Sequence, residues 1–218
     1  MSSKPAPGRL RFPDDEKRLP WLTLLLEIQF LSDQGVSAAI RADGRKLACA
    51  RGCASCCRSH TDIPVYPLEL MGITWYAVEK LEGDGESDVR ERVRQQLARH
   101  RDLGACPFLV DAACAIHPLR PMACRQFNVF GTVCQPGEDA YHTRRGDVLT
   151  PDRKRMHEAL REMLRHHGVK EGLERRRLVE TGEVHRLVQS LREMRWESLA
   201  ARMGNTGLGA INILSEPT

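Results

Sequence analysis

The sequence has few aromatic residues and no long apolar run, and both absences narrow the possible classes of protein. Only 5% of its 218 residues are aromatic, too few for a large surface on which nucleic-acid bases stack. The most apolar stretch, residues 19–31, contains Glu27 and Gln29, whereas a membrane-spanning helix needs about 20 apolar residues. We therefore expect neither a nucleic-acid partner nor a membrane span.

The sequence also lacks a strong charge and the motifs of several common enzyme classes. The net charge is +4 at pH 7, which by itself implies no polyanionic partner. The basic runs at 153–155 and 175–177 lie among acidic residues, a mixture typical of solvated helix faces. There is no glycine-rich phosphate loop, no G-x-S-x-G elbow and no H-E-x-x-H pair. Phosphate-loop, serine-hydrolase and zinc-protease chemistry therefore have no support.

The N-terminal residues favour a cytoplasmic location. Residues 1–17 are polar and lack the apolar centre of a secretory signal. The cytoplasm is reducing, and structural disulfides are disfavoured there. Clustered cysteines in such a protein are therefore expected to be metal ligands or redox groups.

Cysteine is what the sequence has in excess. Eight cysteines form two groups of four. The first group occupies nine residues and the second follows about fifty residues later: Cys49, Cys53, Cys56, Cys57; Cys106, Cys114, Cys124, Cys134. Thiols this dense oxidise easily unless a metal or disulfides occupy them. Thiolate is a soft ligand that favours zinc or an iron–sulfur cluster, each of which takes four cysteines. Eight could fill two sites, or one site with spare thiols.

The spacing of the first group allows two local structures. In a helix, Cys49, Cys53 and Cys56 would share one face. In a turn, Gly52 would supply the backbone freedom for a tight loop. In either structure the adjacent side chains of Cys56 and Cys57 should diverge. We expect one of them to bind the main site and the other to have a second role.

The hydrophobic pattern predicts a mainly α-helical fold. Apolar residues recur at helical spacing over 20–42, 67–83, 87–101 and 151–168, and again from about 183. Residues 103–146 have little periodicity and several prolines, so we expect cross-links or a metal to hold them in one shape. The expected architecture is an irregular, metal-stapled cysteine core packed with several helices. Its parts are a flexible arm at 1–18, a cysteine-cluster domain at 19–150, packed helices at 151–203 and a mobile tail at 204–218.

Two elements together carry a family resemblance. The first is the C-x3-C-x2-C-C run that begins at Cys49. The second includes Cys106-Pro107, Cys114 and the R-P-x-x-C-R stretch that ends at Arg125. The combination resembles the YkgJ-type cysteine-cluster family of zinc- or iron-chelating proteins. Flagellin lysine N-methylases carry a related cysteine domain. The resemblance covers roughly residues 49–127.

The resemblance implies a set of ligands. The family's cysteines fall on Cys49, Cys53, Cys56, Cys57, Cys106, Cys114 and Cys124. His117 stands where the family usually has a tyrosine, so it could be an added ligand or a packing group. Cys134 lies outside the pattern and is a weaker ligand candidate. Arg120 and Arg125 could offset thiolate charge and donate hydrogen bonds to sulfur, or they could form surface salt bridges.

Three functional hypotheses remain open at this point. The first is a cytoplasmic protein in which an iron–sulfur cluster or zinc joins the two cysteine segments and couples metal binding to folding. The second is an enzyme, either a redox enzyme or one similar to the protein-modifying methylases. The third is a zinc-built interaction module with an unknown protein partner.

Overall fold

The fold is mainly α-helical, as the sequence predicts. The computed structural model describes residues 8–50, 52–81 and 88–204. The helices found in this part of the chain are α1 (Pro13–Arg18), α2 (Pro20–Asp43), α3 (Ser55–Ser59), α4 (Pro67–Glu79), α5 (Val89–Ala98), α6 (Met122–Gln126), α7 (Ala140–Thr143), α8 (Arg153–His166), α9 (Gly172–Glu180) and α10 (Glu197–Gly204).

The strands are short, which agrees with the near absence of alternating apolar and polar residues. Strand β1 (Pro64–Val65) pairs antiparallel with β4 (Gln189–Ser190), and β2 (Leu109–Val110) pairs antiparallel with β3 (Ala113–Cys114). The second pair is a hairpin within the irregular segment 103–146. Most of the backbone hydrogen bonding in this segment is therefore in turns and single-turn helices.

The long helix α2 packs against α8 and forms the larger part of one hydrophobic core. Leu22 and Leu25 are fully buried there against residues of α8 such as Leu160 and Met163. The two helices approach closely, because a Cβ atom added at Gly35 would lie 3.1 Å from Cβ of Arg155. We call this the Leu25 core; it comprises Leu22, Leu25, Leu26, Ile28, Tyr66, Leu68, Trp75, Leu119, Met122, Ala159, Leu160, Met163, Leu164, Val179 and Val184.

Helices α4, α5 and α10 enclose a second core. The rings of Phe108 and Trp196 meet edge to face here, with centroids 5.1 Å apart. Arg90 joins two helix ends by donating to the carbonyls of Val78 (2.6 Å) and Met203 (2.9 Å). We call this the Trp196 core; it comprises Ile63, Val65, Ile73, Ala77, Leu81, Val93, Leu97, Cys106, Phe108, Val110, Ile116, Leu191, Trp196, Leu199, Ala200 and Met203.

The N-terminal segment differs from the flexible arm expected at 1–18. Pro13–Arg18 form helix α1, and the ring of Phe12 packs edge to face on Trp75 at 5.1 Å. Lys80 pairs with Asp15 at 2.5 Å. These contacts hold the segment against α4. Residues 1–7 of the expected arm, and all but the first residue of the expected tail at 204–218, lie outside the described residues.

The helix expected from about residue 183 is wrong. Glu183–Leu187 form a 3₁₀ turn, and strand β4 follows. An extended path lets this segment bury Val184 in the Leu25 core and Leu191 in the Trp196 core. A helix would have placed both side chains on one face. The regular helix in this part of the chain is instead α9, at Gly172–Glu180.

The two basic runs lie on exposed parts of α8 and α9. Arg155 pairs with Glu158 at 3.0 Å, and Arg176 pairs with Glu180 at 2.7 Å. These pairs are one helical turn apart, as expected for solvated faces. Among the described residues, no helix is long and apolar enough to cross a membrane.

Candidate metal centre

The first cysteine segment is a turn followed by a short helix. The N–H of Ala48 donates to the carbonyl of Val129 at 2.8 Å, and the N–H of Val129 donates to Sγ of Cys49 at 3.3 Å. Gly52 has a φ of 85°, a left-handed conformation that glycine adopts without steric cost. Helix α3 begins only at Ser55. Of the two structures that the spacing allowed, the turn is therefore correct up to residue 54.

The second segment presents its cysteines from a hairpin and a helix. Cys106 precedes strand β2, and Cys114 ends strand β3, where it pairs with Leu109. The two-residue turn between the strands has positive φ at both Asp111 (49°) and Ala112 (58°). Cys124 lies in the short helix α6. Cys114 and Cys124 therefore lie on separate small elements, with Pro118 and Pro121 between them in the sequence.

Hydrogen bonds join the two cysteine segments. The N–H of Cys106 donates to the carbonyl of Cys57 at 2.8 Å. Arg192 spans the junction, because its Nη1 donates to the carbonyl of His60 at 2.9 Å and its Nη2 to that of Leu103 at 3.1 Å. The stretch after β4 thus holds both cysteine segments in place.

Seven of the eight cysteines line one cavity of about 1150 Å³, together with His117 and Arg120. The seven are Cys49, Cys53, Cys56, Cys57, Cys106, Cys114 and Cys124. Two of the predicted site residues, Cys134 and Arg125, do not line this cavity. Within the described residues, no three Cys, His, Asp or Glu side chains are close enough to hold a single ion. The thiols therefore surround a space and do not converge on one point.

Burial keeps these thiols protonated in the absence of a cation. It raises the pKa of Cys106 to about 12 and the pKa of Cys124 well above its ordinary value. The pKa of Cys114 is raised for the same reason. A buried thiolate is costly unless a positive charge accompanies it. A metal that binds here must therefore displace protons from sulfur.

The side chains of the adjacent residues Cys56 and Cys57 in α3 diverge less than we expected from the sequence. A hydrogen bond between the thiols of Cys56 and Cys57 is the largest cause that raises the pKa of Cys56, followed by burial. Both side chains line the cavity. Cys57 also packs against the Trp196 core.

The two arginines have different surroundings. Arg125 is buried and donates through Nε to the carbonyl of Arg120 (2.9 Å), through Nη1 to Asp33 (2.8 Å), and through Nη2 to Gln29 (2.9 Å) and the carbonyl of Pro118 (2.5 Å). Its hydrogen bonds therefore brace the loop before α6 against α2. Its charge still lowers the pKa of Cys114.

Arg120 is placed differently, in the wall of the cavity. Among the described residues, its Nε is a buried atom with no hydrogen-bond partner. Its charge lowers the pKa values of Cys114 and Cys124. An unpaired donor beside buried thiols is the arrangement in which an anionic metal–thiolate group would gain a partner.

The weaker ligand candidates lie at the edges. His117 opens a 3₁₀ turn, and its side chain is exposed at the cavity wall. Cys134 is half-buried, and Nη2 of Arg144 lies 3.4 Å from its Sγ. Cys134 and Cys49 pack against the same small group of apolar residues. We call this group the Val129 core; it comprises Ala48, Val129, Ala140 and Val148.

Sequence reasoning missed Glu69, a buried carboxylate behind the site. Its Oε2 accepts from the N–H of Tyr66 (3.0 Å), and its Oε1 accepts from the N–H of Met122 (2.6 Å). It thereby ties the start of α4 to the start of α6, which carries Cys124. Burial raises the pKa of Glu69 to about 7. Its place three residues after the N-cap is a capping-box signal, which could have predicted the first bond but not the second.

These features define a class of protein, a mainly helical one with a cavity lined by cysteines from two segments. Residues 48–148 match the family model CxxCxxCC, described as a "putative zinc- or iron-chelating domain". This match confirms the resemblance seen in the motifs. Comparison with curated proteins and with solved structures gave no match.

Proposed function

We propose that the protein binds an iron–sulfur cluster through cysteines that line the cavity, within the set Cys49, Cys53, Cys56, Cys57, Cys106, Cys114 and Cys124. The family description supports the coarser statement that the domain chelates zinc or iron. Thiolate ligands suit both metals. The arrangement of the sulfurs favours the cluster.

The observation that carries this proposal is the spread of the thiols. Seven cysteines line one cavity of about 1150 Å³, yet no three described ligand-type side chains are close enough to share an ion. A single zinc ion holds each sulfur at about 2.3 Å and so needs them within about 4 Å of one another. An iron–sulfur cluster spreads its cysteines over several iron atoms and accepts a wider ring.

The charges around the cavity also fit an anionic cluster. Four thiolates around a cubane leave net negative charge, which nearby donors and cations stabilise. Arg120 contributes a buried Nε without a partner among the described residues. Arg192 holds both cysteine segments and lowers the pKa of Cys106 by its charge. The cavity therefore offers positive charge where the negative charge would be.

The bound cluster would supply electron transfer or a Lewis-acidic iron. The chain's own part is to release the thiol protons, hold the sulfurs and exclude water from the deeper ones. The eight cysteines are free thiols, which suits the reducing cytoplasm in which we propose that the protein works.

The test is anaerobic purification or reconstitution, followed by metal and sulfide analysis and a visible spectrum. Iron and sulfide with broad absorption near ~400 nm support the cluster. Colourless protein with stoichiometric zinc overturns the cluster and leaves the zinc alternative, including the interaction module. Protein that takes up neither metal overturns metal binding at the cavity.

The size of the cavity favours an enzyme as a second candidate function. Pockets for small molecules are about 300–1,000 Å³, and this cavity of about 1150 Å³ has room for an organic substrate beside a cluster. Its wall also carries His60, which contacts Asp139 at 3.2 Å. A redox or methylase-like enzyme would bind a small molecule in the metal-loaded form, whereas an electron carrier or interaction module would not.

A further inference from the structure

Three histidines among the described residues line the cavity beside the cysteines, and they differ in exposure. They are His60, His117 and His142. His117 is exposed, and the side chain of His142 is 76% exposed. The side chain of His60 is 16% exposed. His60 is therefore the histidine that the fold holds most firmly in the wall of the cavity.

The backbone and the ring of His60 are both fixed by contacts. Its N–H donates to the carbonyl of Cys56 at 3.0 Å, and its carbonyl accepts from Nη1 of Arg192 at 2.9 Å. Its ring meets the ring of Phe127 edge to face, with centroids 4.3 Å apart. His60 lies four positions after Cys56, and residues at this spacing share one face of a helix. Both side chains accordingly line the cavity.

One ring nitrogen of His60 lies beside a carboxylate. Its Nε2 is 3.2 Å from Oδ1 of Asp139. The same Oδ1 accepts from the N–H of Tyr141 at 2.9 Å, at the start of α7, and this bond holds the carboxylate in place. Because a carboxylate can only accept, it favours the form of the ring that carries its proton on Nε2. In that neutral form, Nδ1 keeps a lone pair.

The lone pair at Nδ1 of His60 is not used within the protein. Among the described residues, none forms a hydrogen bond with this atom. A histidine that binds a metal usually gives its other ring N–H to a carboxylate or a carbonyl, which fixes the ring for the metal. His60 has a carboxylate neighbour of this kind in Asp139, and it shares the cavity wall with seven thiols.

A cluster can use such a nitrogen where a single ion cannot. Even with histidine counted, no three described ligand-type side chains are close enough to share one ion. Histidine replaces cysteine on an iron atom of some iron–sulfur clusters, and the replacement raises the reduction potential. A neutral ring brings no charge. The cluster with its ligands would therefore be one unit less negative than with a thiolate in that position.

We propose that His60 is a ligand of the iron–sulfur cluster through Nδ1, and that Asp139 orients its ring. This inference rests on the proposed function and extends its ligand set beyond the thiols. Cysteines of the cavity fill the remaining positions. The lone pair of Nδ1 forms the bond to iron, so no proton leaves the ring and no oxidation state changes. His117, the histidine that the sequence offered as a ligand, stays outside the set.

The test uses the full chain with ¹⁵N in the ring nitrogens of its histidines, loaded anaerobically with iron and sulfide and then reduced with dithionite. Electron spin-echo spectroscopy should show a strong coupling between the unpaired electron of the cluster and a histidine nitrogen. His60→Cys should take up the same amount of iron, lose this coupling and have a lower reduction potential. His142→Ala removes the exposed histidine that lies 3.8 Å from the same carboxylate. It is the matched control and should keep both the coupling and the potential.

The outcomes separate this inference from the proposed function. Uptake of iron and sulfide without a histidine coupling overturns the inference and leaves the cluster standing. A coupling that persists in His60→Cys overturns it as well, because another histidine would then be the ligand. Failure of the unaltered chain to take up iron overturns both. If His60→Cys takes up no iron, His117→Ala and His142→Ala decide: a coupling kept in both supports His60, and its loss in either overturns the inference.

Discussion

The Leu25 core and the cysteine segments are held together by different forces. In the core, side chains such as Leu22 and Leu25 are fully buried and contribute by leaving water. In the segments, backbone bonds and arginine contacts hold short turns around thiols that are mostly half-buried. A structure that depends on burial keeps its shape without a ligand, whereas one that surrounds a cavity depends on what fills it.

The largest expected effect is therefore metal removal, and it should act on one region only. Structural metal sites can contribute about 10–16 kcal/mol to folding. Removing the metal by chelation under anaerobic conditions, or changing Cys53→Ser, should unfold the middle of the chain at 103–146 while α2 and α8 stay protected. Hydrogen exchange with and without metal measures this. Unchanged exchange and melting in the metal-free protein would contradict a structural role of the metal.

Glu69 connects the two regions and should make their connection depend on pH. Burial raises its pKa in the folded chain to about 7, above the ordinary value of 4.5 for a glutamate side chain. The folded state therefore holds this proton more firmly than the unfolded state. Its stabilising effect is complete below pH 4.5 and is lost as pH rises through 7. This shift in the pKa of Glu69 corresponds to about 3 kcal/mol in the free energy of unfolding.

The measurement is urea unfolding of the metal-loaded chain and of Glu69→Gln at pH 5 and pH 8. Between pH 5 and pH 8, the free energy of unfolding of the unaltered chain should fall by up to about 3 kcal/mol more than that of Glu69→Gln. Glu79→Gln, an exposed position at the end of the same helix, is the matched control and should keep the full pH dependence. Identical pH dependence in all three proteins would show that Glu69 does not titrate in this range.

The next largest effect on stability is expected where α4 contacts α2 closely inside the Leu25 core. A Cβ atom at Gly72 would lie 2.2 Å from Cδ2 of Leu25 and 3.2 Å from Cδ1 of Leu119. Gly72→Ala should therefore cost about 1–3 kcal/mol through overpacking, while the metal content of the folded protein stays the same. Gly104→Ala, where nothing lies within 4 Å, is the control. Chemical denaturation and iron analysis check both; a stable Gly72→Ala would mean that α2 and α4 separate easily.

The sequence was informative where a signal is local. Helical spacing predicted α2 and α8, and the family motifs identified the cysteines that line the cavity. Hydrogen bonds between residues that are far apart in the sequence leave no such local signal. Arg192 contacts the carbonyl of His60 across 132 positions, and Glu69 reaches the N–H of Met122 across 53. The segment after Gly182 was predicted as a helix because its apolar residues have helical spacing, although two separate cores bury them.

The smallest effect concerns backbone strain in the hairpin between Cys106 and Cys114, and its expected sign is opposite to that in the core. Ala112 has a φ of 58°, a left-handed conformation that costs an ordinary residue about 1–2 kcal/mol. Two-residue hairpin turns of this kind favour glycine at the second position. Ala112→Gly should therefore stabilise the chain, by up to about 1 kcal/mol after the entropy gained by the unfolded chain is subtracted.

The same substitution at Ala201, an exposed position inside α10, should destabilise by about 0.5–1 kcal/mol, because glycine weakens a helix interior. Urea unfolding of both metal-loaded variants measures whether each substitution raises or lowers the free energy of unfolding. Opposite signs would mean that the hairpin beside the cavity carries strain which the helical regions do not. Destabilisation by both would mean that the left-handed turn at Ala112 is relaxed, and that the difference between the two regions lies in their burial alone.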